Sequence, residues 1–260
     1  MSFPTSNLIL HLRADQGAYQ DTGGSTPAAS DGDPVALWQD QSGSTNHVSQ
    51  ATSSKQFTLK LNQINGKAAM LARSINTDTL RGLATAGTVA HGIGTGDFWF
   101  ATVIQTPAPA DFSAFMAAFS IGSFAPAFYL PTGGSGSTPN FYLGGGHAFD
   151  TALANNSNYL IEIARISGTV KCWVGTGGAS PSLNATTYSL STSIADAKFY
   201  VGEDNSGDAF DGLIAEEFLY TAALNGTDQT ALEAYLLARY WGVGVLSPYY
   251  YQFHQPDVSF

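Results

Sequence analysis

The side chains best suited to chemistry are the carboxylates: 20 aspartates and glutamates stand against 10 lysines and arginines, a formal charge of −10. Two of them, Glu216 and Glu217, are adjacent within the apolar run from Leu213 to Tyr220. Hydrolysis of a glycosidic bond needs two carboxyl groups across one linkage, about 5 Å apart for retention or about 6.5–9.5 Å for inversion. Neighbours on a strand point to opposite faces. This pair therefore does not straddle a bond, no catalytic residue is assigned, and one of the two is expected to pair with Arg165 or Arg239. Asp31-Gly32-Asp33 and the run Glu203-Asp204-Asn205-Ser206-Gly207-Asp208 carry the hard oxygen ligands that calcium prefers. Asp31, Asp33, Asp204 and Asp208 are thus the candidate metal ligands, with calcium the one cofactor considered and none required. Neither run has EF-hand spacing, and solvated turn acids explain both more simply.

Other reactive types are sparse. The five histidines, His11, His47, His91, His147 and His254, lie far apart with no His-x-His or His-x-x-x-His spacing, which points to packing or surface roles. Cys172, the lone cysteine, excludes an intrachain disulfide and a thiolate cluster. Alternation in Val170-Lys171-Cys172-Trp173-Val174 places it in a core with Val170 and Val174. Sugar binding would need aromatic platforms beside amides and carboxylates; Phe124, Phe128, Tyr142, Phe149 and Tyr188 could serve, and packing explains each equally well. Three glycosylation sequons, at Asn155, Asn184 and Asn225, mean little without an export signal.

Composition narrows the class. Only 12% of residues are charged, about half the usual share, while 44% are apolar. A neutral polar surface suits proteins that meet sugars and other proteins. Ten scattered cations cannot displace counterions from a phosphate backbone, so neither nucleic acid nor an anionic membrane is an expected partner. The first residues, Met1-Ser2-Phe3-Pro4-Thr5-Ser6-Asn7, lack a basic leader region, and Leu8-Ile9-Leu10 is broken by His11 and Arg13. Neither a signal peptide nor a membrane span is read there, so a virion or surface location reached by assembly is expected.

The elements that must position these residues are strands. Two-residue periodicity or short apolar runs recur at Leu8 to Leu12, Val35 to Trp38, Phe57 to Leu61, Ala68 to Ala72, Phe98 to Ile104, Phe115 to Ile121, Ala127 to Leu130, Phe141 to Leu143, Tyr159 to Ile166, Val170 to Val174, Phe199 to Val201 and Leu213 to Tyr220. Phe98 to Ile104 is apolar on both faces. Ser167-Gly168 reads as a two-residue hairpin link. One segment has helical period: Asn225 as N-cap, Leu232, Tyr235, Leu236 and Tyr240 as one stripe, and Gly242 as terminator. The expected fold is all-β, a two-sheet antiparallel jelly-roll sandwich over residues 1–245 with one C-terminal helix at about 227–241. Residues 246–260 form an aromatic extension.

The order of these segments resembles the concanavalin A-like lectin/glucanase superfamily, in its laminin-G-like branch common in bacterial surface and bacteriophage proteins. Leu10-His11-Leu12-Arg13-Ala14-Asp15 is similar to its opening strand and acidic turn. Trp38-Gln39-Asp40-Gln41-Ser42-Gly43 is similar to its tryptophan, aspartate and Ser-Gly turn, and Asn65-Gly66-Lys67 to the next element. Tyr159 to Arg165 with the hairpin to Trp173, and Phe210 to Tyr220 followed by Ala223-Leu224 and the capped helix, complete a match over roughly residues 8 to 242. The resemblance implies a fold that hosts lectins, glycosidases, adhesins and structural modules. It also implies a calcium at the sandwich rim in many members, and alternating acids on one strand in its glucanases. Asp211 to Glu217 lacks that alternation.

The favoured expectation is a non-enzymatic virion or surface structural protein, a decoration or adhesion module whose partners are other virion or surface proteins or further copies of itself. The alternative is a carbohydrate-binding, lectin-like receptor-binding domain that takes glycans; a glycoside hydrolase ranks third. Tyr249, Tyr250, Tyr251, Phe253 and Phe260 are the candidate assembly residues, because so many aromatics must be covered by something.

Overall fold

The computed structural model describes residues 2–72, 82–106, 117–122, 127–129, 138–143, 145–203 and 210–243. Two antiparallel sheets pack face to face as a sandwich. Among the described residues the first sheet has ten strands. Its main path runs Ser182–Leu183, Thr169–Thr176, Asn158–Ile166, Phe98–Gln105, Gly212–Tyr220, Lys67–Ala72, Phe57–Ile64, Pro34–Val35. Leu8–Arg13 also pairs with Gly212–Tyr220, and Tyr188–Ser189 with Thr169–Thr176. Among the described residues the second sheet has nine strands, running Gly146–Ala148, Asn140–Tyr142, Ala127–Tyr129, Ala117–Ile121, Phe199–Val201, Leu83–Thr85, Val48–Ser49, Leu37–Trp38, Ala18–Tyr19.

Apolar surface is buried in two layers, which explains the strand that is apolar on both faces. Phe98, Phe100 and Ile104 project between the sheets, where they meet Phe119, Phe128 and Phe199. Trp99, Ala101 and Val103, on the alternate positions, lie in the layer beneath the helix Gly226–Trp241. That helix docks through Leu232, Leu236, Leu237 and Tyr240, and Tyr235 is partly buried. Its N-terminus is capped as the sequence predicts: the Asn225 side chain accepts from Thr227 N and Asp228 N, and Gly242 ends it at φ +65°.

The expected strand from Val35 to Trp38 is divided between the sheets. Pro34–Val35 pairs with Phe57–Ile64 in the first, and Leu37–Trp38 with Ala18–Tyr19 and Val48–Ser49 in the second. A four-residue run buried throughout fits this role, since Val35, Ala36, Leu37 and Trp38 all face protein at the corner. The Ser167-Gly168 link takes positive φ at both residues, as such a hairpin requires. Cys172 is buried between Val170 and Val174.

Candidate functional site

The central strand Gly212–Tyr220 carries both adjacent glutamates, and they face opposite layers. Glu216 points under the helix and is fully enclosed. Its Oε1 accepts from His11 Nε2 at 2.7 Å and from the Tyr235 hydroxyl at 2.9 Å. Its Oε2 accepts from the Tyr240 hydroxyl at 2.8 Å, with Arg239 Nε at 3.2 Å. Arg239 is thus the ion-pair partner. Arg165 is used otherwise: fully buried, it donates to the carbonyls of Gly96, Thr192 and Gly94 and ties two loops together. A register shift between Ile214 and Glu216 sets the aim of this segment.

Glu217 points between the sheets and is also fully enclosed. Neither carboxyl oxygen has a hydrogen-bond partner, and the hydroxyl of its cross-strand neighbour Thr102 leans towards it without completing a bond. Burial pushes this acid well up. The two glutamates are therefore separated by the sheet itself.

An open cleft of about 350 Å³ lies at the sandwich rim. It is lined by the turn from Ala14 to Tyr19, by Pro27, Ala28 and Ala29, and by Leu59, Leu61 and Ala68. Tyr19 is partly exposed there, and Asp15 and Gln16 are exposed. Gly17 shapes the turn at φ +72°, where an added Cβ would meet the Gln41 side chain at 2.6 Å and Gln39 Cβ at 2.9 Å. Asp15 accepts from Arg13 Nε at 2.7 Å and from Arg239 Nη2. Partial burial opposes its charge, but the two guanidinium groups outweigh it and hold the carboxyl below the usual range. The opening strand and its acidic turn are visible in the sequence; that the turn borders a cleft with Pro27 and Leu61 is not.

The turn acids are used locally. Asp31 accepts from Lys60 Nζ and Leu61 N, both at 2.8 Å. Asp33 accepts from Ala29 N at 2.9 Å and Ser30 N at 2.8 Å. These carboxylates face N–H donors, and among the described residues no three His, Cys, Asp or Glu side chains gather as a metal site. Asp204 and Asp208 lie outside the described residues, as do Tyr249, Tyr250, Tyr251, Phe253 and Phe260. Asp40, in the tryptophan–aspartate motif, is a turn cap: its carboxylate accepts from His11 N, Ser42 N, Ser42 Oγ and Asn46 N.

Of the candidate sugar platforms, Phe128 and Phe149 are core residues and Phe124 lies outside the described residues. Tyr188 is partly exposed, with ring centroids 4.6 Å from His147 and 5.6 Å from Phe149, and its hydroxyl donates to the carbonyl of Ala148. It closes the edge between the sheets. Tyr142 lies apart, packed on Ala127. No described helix is long and apolar enough to cross a membrane.

No family model and no curated protein matches the sequence. Solved structures do match by shape. An arabinofuranosidase complexed with arabinofuranosyl-α-1,2-xylobiose superposes with a TM-score of 0.60 at 12% identity, over 80% of this chain and 51% of that one. The binding domain of Paraclostridial Mosquitocidal Protein 1 gives a TM-score of 0.55 at 12% identity, over 88% and 52%. Domain 4 of a GH43 extracellular arabinanase from Geobacillus stearothermophilus, in complex with arabinotriose, gives 0.52 at 15% identity, over 88% of this chain and 98% of that domain. The chain thus spans about half the length of the arabinofuranosidase and nearly all of the arabinanase domain. At these identities the likeness is one of architecture, and it supports a jelly-roll-like β-sandwich.

Proposed function

We propose that this chain is a non-catalytic, lectin-like carbohydrate-binding module, with the rim cleft as its sugar site. The observation that carries the reading is the cleft itself: an open pocket of about 350 Å³ with a partly exposed tyrosine, an exposed amide and an ionised carboxylate around it. Sugars are held by an aromatic face for the C–H surface and polar groups for the hydroxyls. The fold likeness to an arabinanase domain solved with arabinotriose supports the same reading. Catalysis by the strand glutamates is not part of it, because both carboxyls are enclosed and lie on opposite faces of the sheet.

The finer part of the proposal is the setting, a virion or cell surface, motivated by the 12% charged fraction and the aromatic segment 246–260. Co-sedimentation of the full chain, but not of a chain lacking residues 246–260, with particles or cells would support it. Equal co-sedimentation of both would remove the role of the segment.

Binding is tested by calorimetric titration with arabinotriose and a panel of neutral and acidic oligosaccharides. Selective micromolar binding, weakened about tenfold by Tyr19→Ala in a variant with an unchanged circular dichroism spectrum, is expected. Silence across the panel, or binding untouched by Tyr19→Ala, would overturn the assignment of the cleft.

A further inference from the structure

Two buried carboxyl groups meet the helix Gly226–Trp241 from the sheet, and the helix satisfies them in opposite ways. Glu216, under its C-terminal half, receives donors from His11, Tyr235 and Tyr240 and pairs with Arg239. Glu162, under its N-terminal half, is equally enclosed but meets one donor and another acid. Its Oε2 accepts from Gln229 Nε2 at 3.2 Å, and the same amide nitrogen donates to Glu233 Oε1 at 2.8 Å. Glu162 Oε1 has no completed hydrogen bond, and the indole N–H of Trp99 leans towards it without closing one.

The titratable groups acting on or through Glu162 are Glu233 from the helix, and Tyr220 and Cys172 from neighbouring strands. Lys171, opposite Ala164 on the adjacent strand, shares the Glu162 face, and among the described residues no cation forms an ion pair with Glu162 or Glu233. A carboxylate enclosed beside a second carboxylate, with one amide between them, is stable only if a proton is present. Such a pair titrates as a unit.

We infer that the N-terminal half of the helix is a pH-gated clamp, closed while Glu162, joined to Glu233 through the Gln229 amide, keeps its proton and released when that proton is lost, while the Glu216 cluster keeps the C-terminal half docked. Burial, with repulsion from Glu233 added, raises the Glu162 acid well above its ordinary value of 4.5 when the helix is down. Lifting the helix returns the group to water and to that ordinary value. The docked state is therefore fully favoured below about 4.5 and loses its advantage as pH climbs through the raised value. Opening bares the apolar surface around Leu160 and Ala101, which otherwise faces Leu232 and Leu236 in the same buried layer.

Amide hydrogen exchange on the full chain, expressed as protection over the intrinsic rate between pH 5 and 8.5, separates the two halves. In the wild type, protection from Thr230 to Glu233 is expected to fall at least tenfold more than that from Arg239 to Trp241. Glu162→Gln, which has no proton to lose, should flatten the fall. Glu233→Gln should flatten it from the helix side, and serves if Glu162→Gln does not fold. Protection that stays constant with pH in the wild type would overturn the clamp, as would an undiminished fall in a folded Gln variant.

Discussion

Replacing Glu217 by methionine is expected to stabilise the protein, against the rule that core substitutions destabilise. The wild-type side chain is completely enclosed between the sheets, and both carboxyl oxygens lack hydrogen-bond partners. A buried polar group without a partner costs about 1–3 kcal/mol. Methionine keeps an unbranched chain of similar length and removes both polar atoms, and its flexibility limits overpacking. A gain of about 1–3 kcal/mol follows, which at about 2–4 °C per kcal/mol for a chain near this size raises the melting temperature by about 2–12 °C. The effect carries a pH signature. Burial raises Glu217 well above 4.5 in the folded state, whereas the unfolded chain titrates near 4.5. Wild-type stability therefore falls as pH rises from about 4.5 towards the raised value, and the variant loses this contribution to the slope. Urea denaturation at pH 5 and pH 8, followed by circular dichroism, should show the variant's advantage larger at pH 8. A variant less stable than wild type at both values, or an advantage independent of pH, would refute the reasoning.

Three further perturbations probe the helix and its hub. Asn225→Ala removes the side chain that accepts from Thr227 N and Asp228 N; a loss of about 1 kcal/mol in chemical denaturation is expected. Leu236→Asp puts an unpaired charge into the fully buried layer beneath the helix, at a cost of several kcal/mol, and should abolish the cooperative melt. Glu216→Ala strips the acceptor from His11, Tyr235 and Tyr240 and leaves Arg239 without its buried partner. A loss of about 3–5 kcal/mol in the same assay is expected. A β-glucan hydrolase activity that disappears in Glu216→Gln would show instead that this carboxyl is catalytic.

Much of the architecture could be read without coordinates, because strand and helix periodicities are local. The alternation around Cys172, the doubly apolar run at Phe98 to Ile104, the Ser167-Gly168 hairpin and the Asn225-capped helix each depend on residues a few positions apart. So does the divergence of Glu216 and Glu217, which follows from the two-residue repeat alone. What lay beyond the sequence was how distant segments meet. Arg165 spends its charge on three carbonyls from loops 27 to 71 residues away, and Arg239 reaches Asp15 across 224 residues. The division of Val35 to Trp38 between two sheets depends on which partners, Phe57 or Ala18 and Val48, stand opposite it. The rim cleft joins residues 14–19, 27–29 and 59–68, and the proton-dependent pair joins Glu162 to Glu233. Burial and neighbouring charge set the behaviour of such groups, and both are properties of the assembled layers, which no local pattern encodes.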